Sequence, residues 1–509
     1  MEYLTDLISS LGIGFATAVR PYNFLMITLG VLSGIFVGVL PGIGAITAIA
    51  LLLPLTYHFG ATASLILLAG IWYGATFGGS ITAILLNIPG TTANAVTCID
   101  GHPLTKQGKG SLALVIAVAS SFLGGSVGIL VIALLIAPIA RVALNFSSVE
   151  YFALIVLGLV AASSISTGSM FKGLAMVVIG IMFGVVGTDL YSGYQRFTFG
   201  SLDLIGGVTL VSLSMGAFGV SEIISSLQEG NRRAPLSADA VKFRAMVPAR
   251  DDVKRILAPI LRASGVGSFL GALPGTGPAI SAYLAYALEM RLSKEPERFG
   301  AGALEGIAAP ESANNAADIT AFIPTLVLGI PGSATMALMI GALLINGVAP
   351  GPDLMTNEPE LFWGLVVSFW IGSLVLLVLS IPLVGVWVRL LMVPMPVLMP
   401  AVLVFICIGA FSVRGSVTDV WLVALLGLVG YAGRLFVFPA APLILGFVLG
   451  PMLEDHFRRA MLIGRGDFGV LVGTPTSAVI LLLTLLVFLW GLFSGYASRR
   501  RSARNTAAD

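Results

Sequence analysis

The sequence predicts an all-α, polytopic integral membrane protein built from two homologous repeats with discontinuous transmembrane helices. Three observations predict this: a composition too poor in charge for a water-facing surface, apolar runs recurring along the whole chain, and a duplicated set of Gly-Pro motifs in the same order. Of 509 residues, 57% are apolar without counting 61 glycines, and 10% are charged. An average soluble domain has ~25% charged residues. A bilayer removes the need for a charged coat because the lipid-facing surface is itself apolar.

A crossing helix needs ~20 mostly apolar residues. The candidate spans, in order, are Phe24–Leu40, Leu65–Leu86, Leu112–Ala137, Tyr151–Ala162, Gly173–Val186, Ile205–Val220, Ala258–Leu273, Ala303–Leu328, Leu361–Val386, Val397–Gly409, Val420–Tyr431, Ala441–Leu453 and Gly469–Phe493. Several are too short or too glycine-rich to cross as one rod, so about 11–14 crossings or half-crossings are expected. Met1–Ser10 has no basic residue, unlike the start of a cleaved signal peptide, so the N-terminal region is expected to be retained. Basic residues gather in Asn231–Arg255, Arg291–Arg298 and Arg499–Arg504. Basic loops near span ends are usually cytoplasmic, which orients the chain.

The duplication divides the chain. Gly38-Val-Leu-Pro-Gly-Ile-Gly44 matches Gly271-Ala-Leu-Pro-Gly-Thr-Gly277 at an offset of 233. Ile88-Pro-Gly-Thr91 matches Ile330-Pro-Gly-Ser333 at 242, and Gly168-Ser169 matches Gly415-Ser416 at 247, with Gly180 and Gly427 keeping that last offset. The implied organisation is repeat 1 over 1–230, a basic cytoplasmic linker over 231–256, repeat 2 over 257–495 and a basic tail over 496–509. Repeats of this kind are common in secondary transporters, around a site near the membrane midplane.

The motifs carry specific physical chemistry. Glycines at every fourth residue, Gly30, Gly34, Gly38 and Gly42 in one copy and Gly267, Gly271 and Gly275 in the other, form a side-chain-free stripe for close helix packing. Each stripe runs into Leu-Pro-Gly-x-Gly, where proline ends the helical ladder and the helix is expected to restart over Ile43–Leu53 and Thr276–Leu288. A helix start offers free N–H groups and partial positive charge, which suit a carboxylate. Exposed carbonyls before the break suit sodium. The candidate substrate site is therefore Gly42, Ile43, Gly44, Asn87, Thr91, Thr92, Asn94, Gly275, Thr276, Gly277, Ser281, Ser333 and Thr335. Capping of their own helices is the plainer role for Thr91 and Ser333. Ala309-Pro-Glu-Ser-Ala-Asn-Asn-Ala-Ala-Asp318 puts polar groups in apolar sequence; Ser312, Asn314, Asn315 and Asp318, beside Glu311, are cation-binding candidates if the segment lies at membrane depth. An interfacial loop over Pro310–Asn315 is the alternative.

Several chemistries are not supported. The nearest approach to a Walker A loop, Gly101–Gly110, has Pro103 and Gly110 at defining positions. The three histidines are isolated, no nucleophile elbow stands beside a base, and Cys98 and Cys407 fit no metal spacing, so no enzyme, transition metal or cofactor is expected. A net charge of +2 gives no footprint for nucleic acid. A small-anion channel and an intramembrane enzyme using Glu311 with Asp318 remain rival functions.

Taken together, Gly38–Gly44 with Leu51–Thr56, Asp100-Gly-His-Pro-Leu-Thr-Lys-Gln-Gly108, Gly271–Ser281, Pro310-Glu-Ser-Ala-Asn-Asn-Ala316 and Gly329–Ser333 give the chain a resemblance to the large membrane subunit, TctA type, of the tripartite tricarboxylate transporters. The resemblance covers nearly the whole chain. It implies a multi-pass subunit of the bacterial inner membrane that works with a small membrane subunit of about four helices and a periplasmic solute-binding protein. It also implies uptake of citrate-like tricarboxylates or related small carboxylates, coupled to a sodium or proton gradient. Dimerisation of the chain is an open possibility.

Overall fold

The computed structural model describes residues 2–40, 44–165, 169–189, 191–229, 247–273, 277–391 and 393–505. Gly42, Ile43, Gly275 and Thr276, most of the basic linker and the last residues of the tail lie outside these. The fold is 80% helical. The first half contains α1 (Glu2–Ala18), α2 (Pro21–Gly38), α3 (Ala45–Leu52), α4 (Ala61–Leu86), α5 (Asn94–Lys106), α6 (Gly110–Ala143), α7 (Ser148–Ile165), α8 (Met170–Gly184), a short hairpin of β1 (Gly187–Thr188) and β2 (Gln195–Arg196), then α9 (Leu210–Ser214) and α10 (Ser221–Glu229) joined by a π-helical turn, Met215–Val220. The second half contains α11 (Arg250–Gly271), α12 (Gly277–Leu292), α13 (Glu305–Thr320), α14 (Phe322–Val327), α15 (Ala334–Ile345), α16 (Leu354–Asn357), α17 (Pro359–Ser380), α18 (Val384–Leu391), α19 (Met395–Arg414), α20 (Val417–Leu435), α21 (Ala441–Ile463) and α22 (Pro475–Asn505). Among the described residues, eight helices are long and apolar enough to cross a membrane, and shorter apolar helices such as Met170–Gly184 and Ala334–Ile345 accompany them.

Most apolar runs become helices near their expected bounds, and the departures have local causes. The run expected from Ile205 becomes helical only at Leu210, because Gly207 is left-handed (φ 76°) and Thr209 caps the helix by accepting a hydrogen bond from Ser212 N. The run through Val386 divides into α17 and α18, since Pro382 cannot continue the ladder. Helix α11 begins at Arg250, inside the segment read as linker, with the Ala249 N–H donating to Asp252 Oδ2 at 3.0 Å. Helix α1 was not among the expected spans. It packs on α17, with Gly14 against the Trp363 carbonyl.

The glycine stripes set the core. A Cβ on Gly34 would lie 2.2 Å from the Ile71 carbonyl oxygen, and one on Gly38 would lie 2.3 Å from that of Ala75. In the second half Gly267 and Gly271 approach the carbonyls of Ala313 and Ala317 at 2.2 and 2.1 Å by the same measure. Thus α2 crosses α4 as α11 crosses α13. The glycines are offset by 233 and their partners by 242, the two offsets of the sequence motifs. Helix α4 is buried throughout its most apolar window. Its Trp72 and Tyr73 meet Phe322 of α14 and Phe369 of α17, with Trp72–Phe322 centroids 5.6 Å and Phe322–Phe369 centroids 4.6 Å apart. Elsewhere the halves exchange partners: α8 packs on α21 through Gly180 at the Leu443 carbonyl, and α20 packs on the π-helical turn through Gly427 at Val220.

The hairpin is clasped to α21 by charge. Arg196 makes paired bonds of 2.8 and 3.0 Å to Glu454 and reaches Asp189 at 2.6 Å, while Arg458 bridges the same two acids. The Asp189 carboxyl is held well below its ordinary value by hydrogen bonds from Ser192 and Arg196.

Two outcomes are expected. Replacing Gly34 or Gly271 with leucine forces two backbones apart and should cost at least about 1–3 kcal/mol. In detergent, both variants should melt earlier than Gly265→Ala, where nothing lies within 4 Å of the new Cβ. Because the folded value of Asp189 is lowered, its stabilising contribution is complete above the ordinary 3.8 and is lost only as pH falls below that value. Cleavage of the hairpin by added protease should therefore be insensitive to pH around neutrality, yet faster in Asp189→Asn.

A buried carboxylate network beside paired helix starts

Two loops have the same construction. Asn87 closes α4 in the left-handed region (φ 58°), and Ile88 N donates to Thr82 O at 3.3 Å. Gly329 is likewise left-handed (φ 66°), and Ile330 N donates to Pro324 O at 3.1 Å. An asparagine and a glycine are residues that tolerate this conformation. After each Ile-Pro-Gly a hydroxyl accepts from a backbone N–H of the next helix: Thr91 Oγ1 from Asn94 N and Ser333 Oγ from Met336 N, both at 3.3 Å. Ser333 is the N-cap of α15, whereas Ala93 holds that position before α5 and Thr91 reaches the first residue of the helix from two positions earlier. The Ser333 hydroxyl keeps its proton and a lone pair for further bonds, whereas the Thr91 proton goes to Asn94 Oδ1 at 2.7 Å.

The starts of α3 and α12 adjoin the first of these loops and the helix that follows it. Gly44 precedes α3, and a Cβ on it would lie 2.9 Å from the Gly90 carbonyl oxygen and 3.8 Å from Thr91 Cγ2. Gly277 begins α12 in the left-handed region (φ 66°), with Ser281 Oγ donating back to its carbonyl at 3.3 Å. Helix α3 packs on α15 of the second half, and α12 packs on α5 of the first. The first turns of α12 lie by the start of α5, where Ala279 and Ala282 meet Ala93 and Val96. Thr92 is exposed, and Thr335 is buried in α15.

The polar segment 309–318 is helical. It forms the middle of α13, where every residue from Gly306 to Thr320 is buried. Glu311, Asn314 and Asp318 share one face at spacings of three and four. They are 1%, 2% and 6% exposed. Three hydroxyls from three other helices converge on Glu311. Ser80 of α4 and Thr97 of α5 donate to Oε1 at 2.9 and 2.7 Å, and Ser121 of α6 donates to Oε2 at 3.1 Å. Ser80 in turn accepts from Asn94 Nδ2 at 2.8 Å, and Asn94 Oδ1 accepts from Thr91 at 2.7 Å. A continuous chain of hydrogen bonds thus joins the first loop to the buried carboxylate. Asn315 Nδ2 donates to the Glu311 carbonyl at 3.0 Å, Ser312 bonds back to the carbonyls of Ala308 and Ala309, and Asn314 Oδ1 is buried without a partner among the described residues.

Sequence reading placed Glu311 beside the candidates but missed Ser80, Thr97 and Ser121. Each is a single hydroxyl in a different element, and only folding brings them to one carboxylate. The sequence reading also left Asp100 without a role. It is fully buried; its Oδ1 accepts from the N–H groups of Gly300, Gly302 and Ala303, each at 2.8 Å, and Oδ2 from the Tyr286 hydroxyl at 2.9 Å. This clasp fixes the α12–α13 connection to α5, and so fixes the height of Glu311 against Thr97.

Eight long apolar helices among the described residues, a core that buries helix crossings at backbone contact and polar groups turned inward define a multi-pass membrane protein. Nothing in that class by itself names a family. The chain belongs to the tripartite tricarboxylate transporter TctA family, whose model matches residues 24–445 and whose members are the large subunits of such systems. It is 46% identical over 497 residues to an uncharacterized 52.8 kDa protein of the TAR-I ttuC′ 3′ region of Agrobacterium vitis, with 98% of both chains covered. It is also 47% identical over 234 residues to an uncharacterized protein of the TAR-II ttuC′ 3′ region of the same organism, covering 46% of this chain and 97% of that one. No solved structure matches the chain.

Removing the Asp100 side chain leaves three N–H groups, of which that of Ala303 is buried, and a phenol without their acceptor. Charge-assisted bonds contribute ~1.5–3 kcal/mol each, so Asp100→Ala should destabilise by at least about 3 kcal/mol. Asp100→Asn, which keeps one acceptor oxygen, should melt between it and the parent protein in a thermal scan of the detergent-solubilised chain.

Proposed function

We propose that this chain is the transport-bearing subunit of a binding-protein-dependent secondary transporter that imports small carboxylates across a bacterial inner membrane. The family supplies the class, a tricarboxylate transporter of three parts with a small membrane subunit and a binding protein as its partners. The observation that carries the finer reading is the pair of Ile-Pro-Gly loops, each with a left-handed turn and a hydroxyl at the start of a helix, beside α3 and α12. Helix starts and hydroxyls hold carboxylates without a fixed cation, since N–H groups and the helix dipole both favour negative charge. Gly42–Gly44 and Gly275–Gly277 would supply backbone donors. Asn87, Thr91, Thr92 and Asn94 would supply side chains from the first half, and Ser281, Ser333 and Thr335 from the second. Ser312, Asn314, Asn315 and Asp318 would serve the coupling ion, sodium or proton.

We take the two halves, 1–230 and 257–495, as homologous repeats joined by the basic segment 231–256 on the cytoplasmic side. The glycine–carbonyl contacts at matching offsets and the twin loop geometry support that reading. A site lacking lysine and arginine binds an anion with moderate affinity, and delivery by a binding protein compensates. A second copy of the chain is an admissible partner.

The test is uptake of labelled citrate and other di- and tricarboxylates into proteoliposomes holding this chain, its small partner and the binding protein. Thr91→Ala and Ser333→Ala should each lower uptake several-fold at equal protein in the membrane, although the lost caps cost only about 1 kcal/mol of stability. Thr91→Ser should retain uptake. Full activity in both alanine variants would remove the loops from the site.

A further inference from the structure

Glu311 is a carboxyl group with an unusual set of neighbours. It is 1% exposed, and among the described residues it forms no ion pair. Moving an unpaired carboxylate out of water is costly, so such a group either binds a cation or takes up a proton. The distances separate these cases. An ion of sodium or calcium size holds its ligand oxygens at about 2.4 Å, which sets neighbouring ligand oxygens about 3.4 Å apart. The oxygens here lie at 2.9, 2.7 and 3.1 Å, which are hydrogen-bond separations with no place for an ion between them. These three partners are hydroxyls, which can donate or accept, and the Asn94 amide also reaches the carboxylate as a donor. With Glu311 ionised, Ser80 and Thr97 donate to Oε1 and Ser121 to Oε2. With Glu311 protonated on Oε2, the new O–H donates to Ser121 Oγ and the other two bonds stand. Both states keep all three hydroxyl bonds to Glu311 with no movement of heavy atoms. Ser80 is held as a donor toward Glu311 because its own oxygen accepts from Asn94 Nδ2.

We propose that Glu311 is the proton-carrying group of the transport cycle, linked to the carboxylate-binding loop through Ser80, Asn94 and Thr91. A proton from the side of higher acidity forms the O–H bond on Oε2. The same bond breaks when the site opens to the other side, and the carboxylate reforms. Thr91 is the half-buried end of the chain and Glu311 its fully buried end. A substrate carboxylate that draws the Thr91 hydroxyl away from Asn94 Oδ1 re-orients the amide, loosens the Ser80 donor and favours the protonated form. Solute and proton then bind together. This inference rests on the reading of the Thr91 loop as the carboxylate site.

Other charged and titratable groups on the packed elements are engaged elsewhere. On α5, Cys98 lies near enough to feel the Glu311 charge, and Asp100 is taken by backbone N–H groups and Tyr286 of α12. Glu289 of α12 is paired with Arg262 of α11 at 2.6 Å. Tyr73 of α4 lies beside Asp318, two turns along α13. Helix α6 presents Ser121 at this level.

The experiment has two arms on the full chain. In the first, reaction-induced infrared difference spectra of the detergent-solubilised protein are recorded through a pH titration without substrate. A protonated-carboxyl C=O band that titrates in the parent and is missing in Glu311→Gln is expected; a band unchanged in Glu311→Gln, or no such band, overturns the proposal. In the second, proteoliposomes with the partner subunit and binding protein are given labelled citrate and a pH gradient of about one unit, which drives at most ~10-fold accumulation per proton. The ratio of accumulation with and without the gradient should fall from that range to about one in Glu311→Gln, and Ser80→Ala should shift the pH dependence in the same direction. Accumulation in the parent that follows sodium and ignores pH, or a Glu311→Gln ratio equal to the parent's, overturns the proposal. If the parent carries no di- or tricarboxylate at all, the transport reading fails, and the infrared arm alone still decides whether Glu311 takes up a proton.

Discussion

Close approach of helix backbones is the constraint on which the rest of this structure depends. Lipid tails are as apolar as leucine, so apolar burial gives helices little reason to associate inside a membrane, and shape must do so instead. Here the shape is a row of missing side chains. Gly34 and Gly38 let α2 lie against the carbonyls of α4, and Gly267 and Gly271 do the same for α11 on α13. Once α4 and α13 are held this way, the polar groups they carry have no freedom to reach water. They must be satisfied by one another, which is why hydroxyls from α4, α5 and α6 meet on a carboxylate of α13.

That arrangement couples architecture to chemistry. Ser80 lies on a helix gripped by one glycine stripe, and Glu311 on a helix gripped by the other. A bond of 2.9 Å between them therefore reports the relative height of the two gripped units. Asp100 adds a second restraint on that height by fastening the loop before α13 to α5. Any sliding of one half past the other has to break hydrogen bonds to both acids.

Much of this was legible in the chain. Low charge and recurring apolar runs give a helical membrane protein, and the spacing of four between glycines gives the packing stripes. Asn87 and Gly329 could be foreseen as turn formers, and Thr91 and Ser333 as caps, because each effect acts within a few residues. Less visible was the fate of the segment 309–318. Pro310, the two asparagines and Asp318 have poor helical propensity and fit an interfacial loop equally well. Packing against α5, α6, α11 and α12 overrides that propensity, and α13 forms through it.

By itself, then, the sequence determined the class of fold and much of the local geometry at glycines, prolines and helix starts, since these follow from backbone sterics and periodicity over short stretches. Only the tertiary structure decided which polar groups meet. Ser80, Thr97, Ser121 and Glu311 are separated by up to 231 positions, and no rule of spacing links residues so far apart. Their meeting results from the crossings of α4, α5, α6 and α13, where a buried carboxylate must find donors in whatever helices the glycine contacts bring beside it.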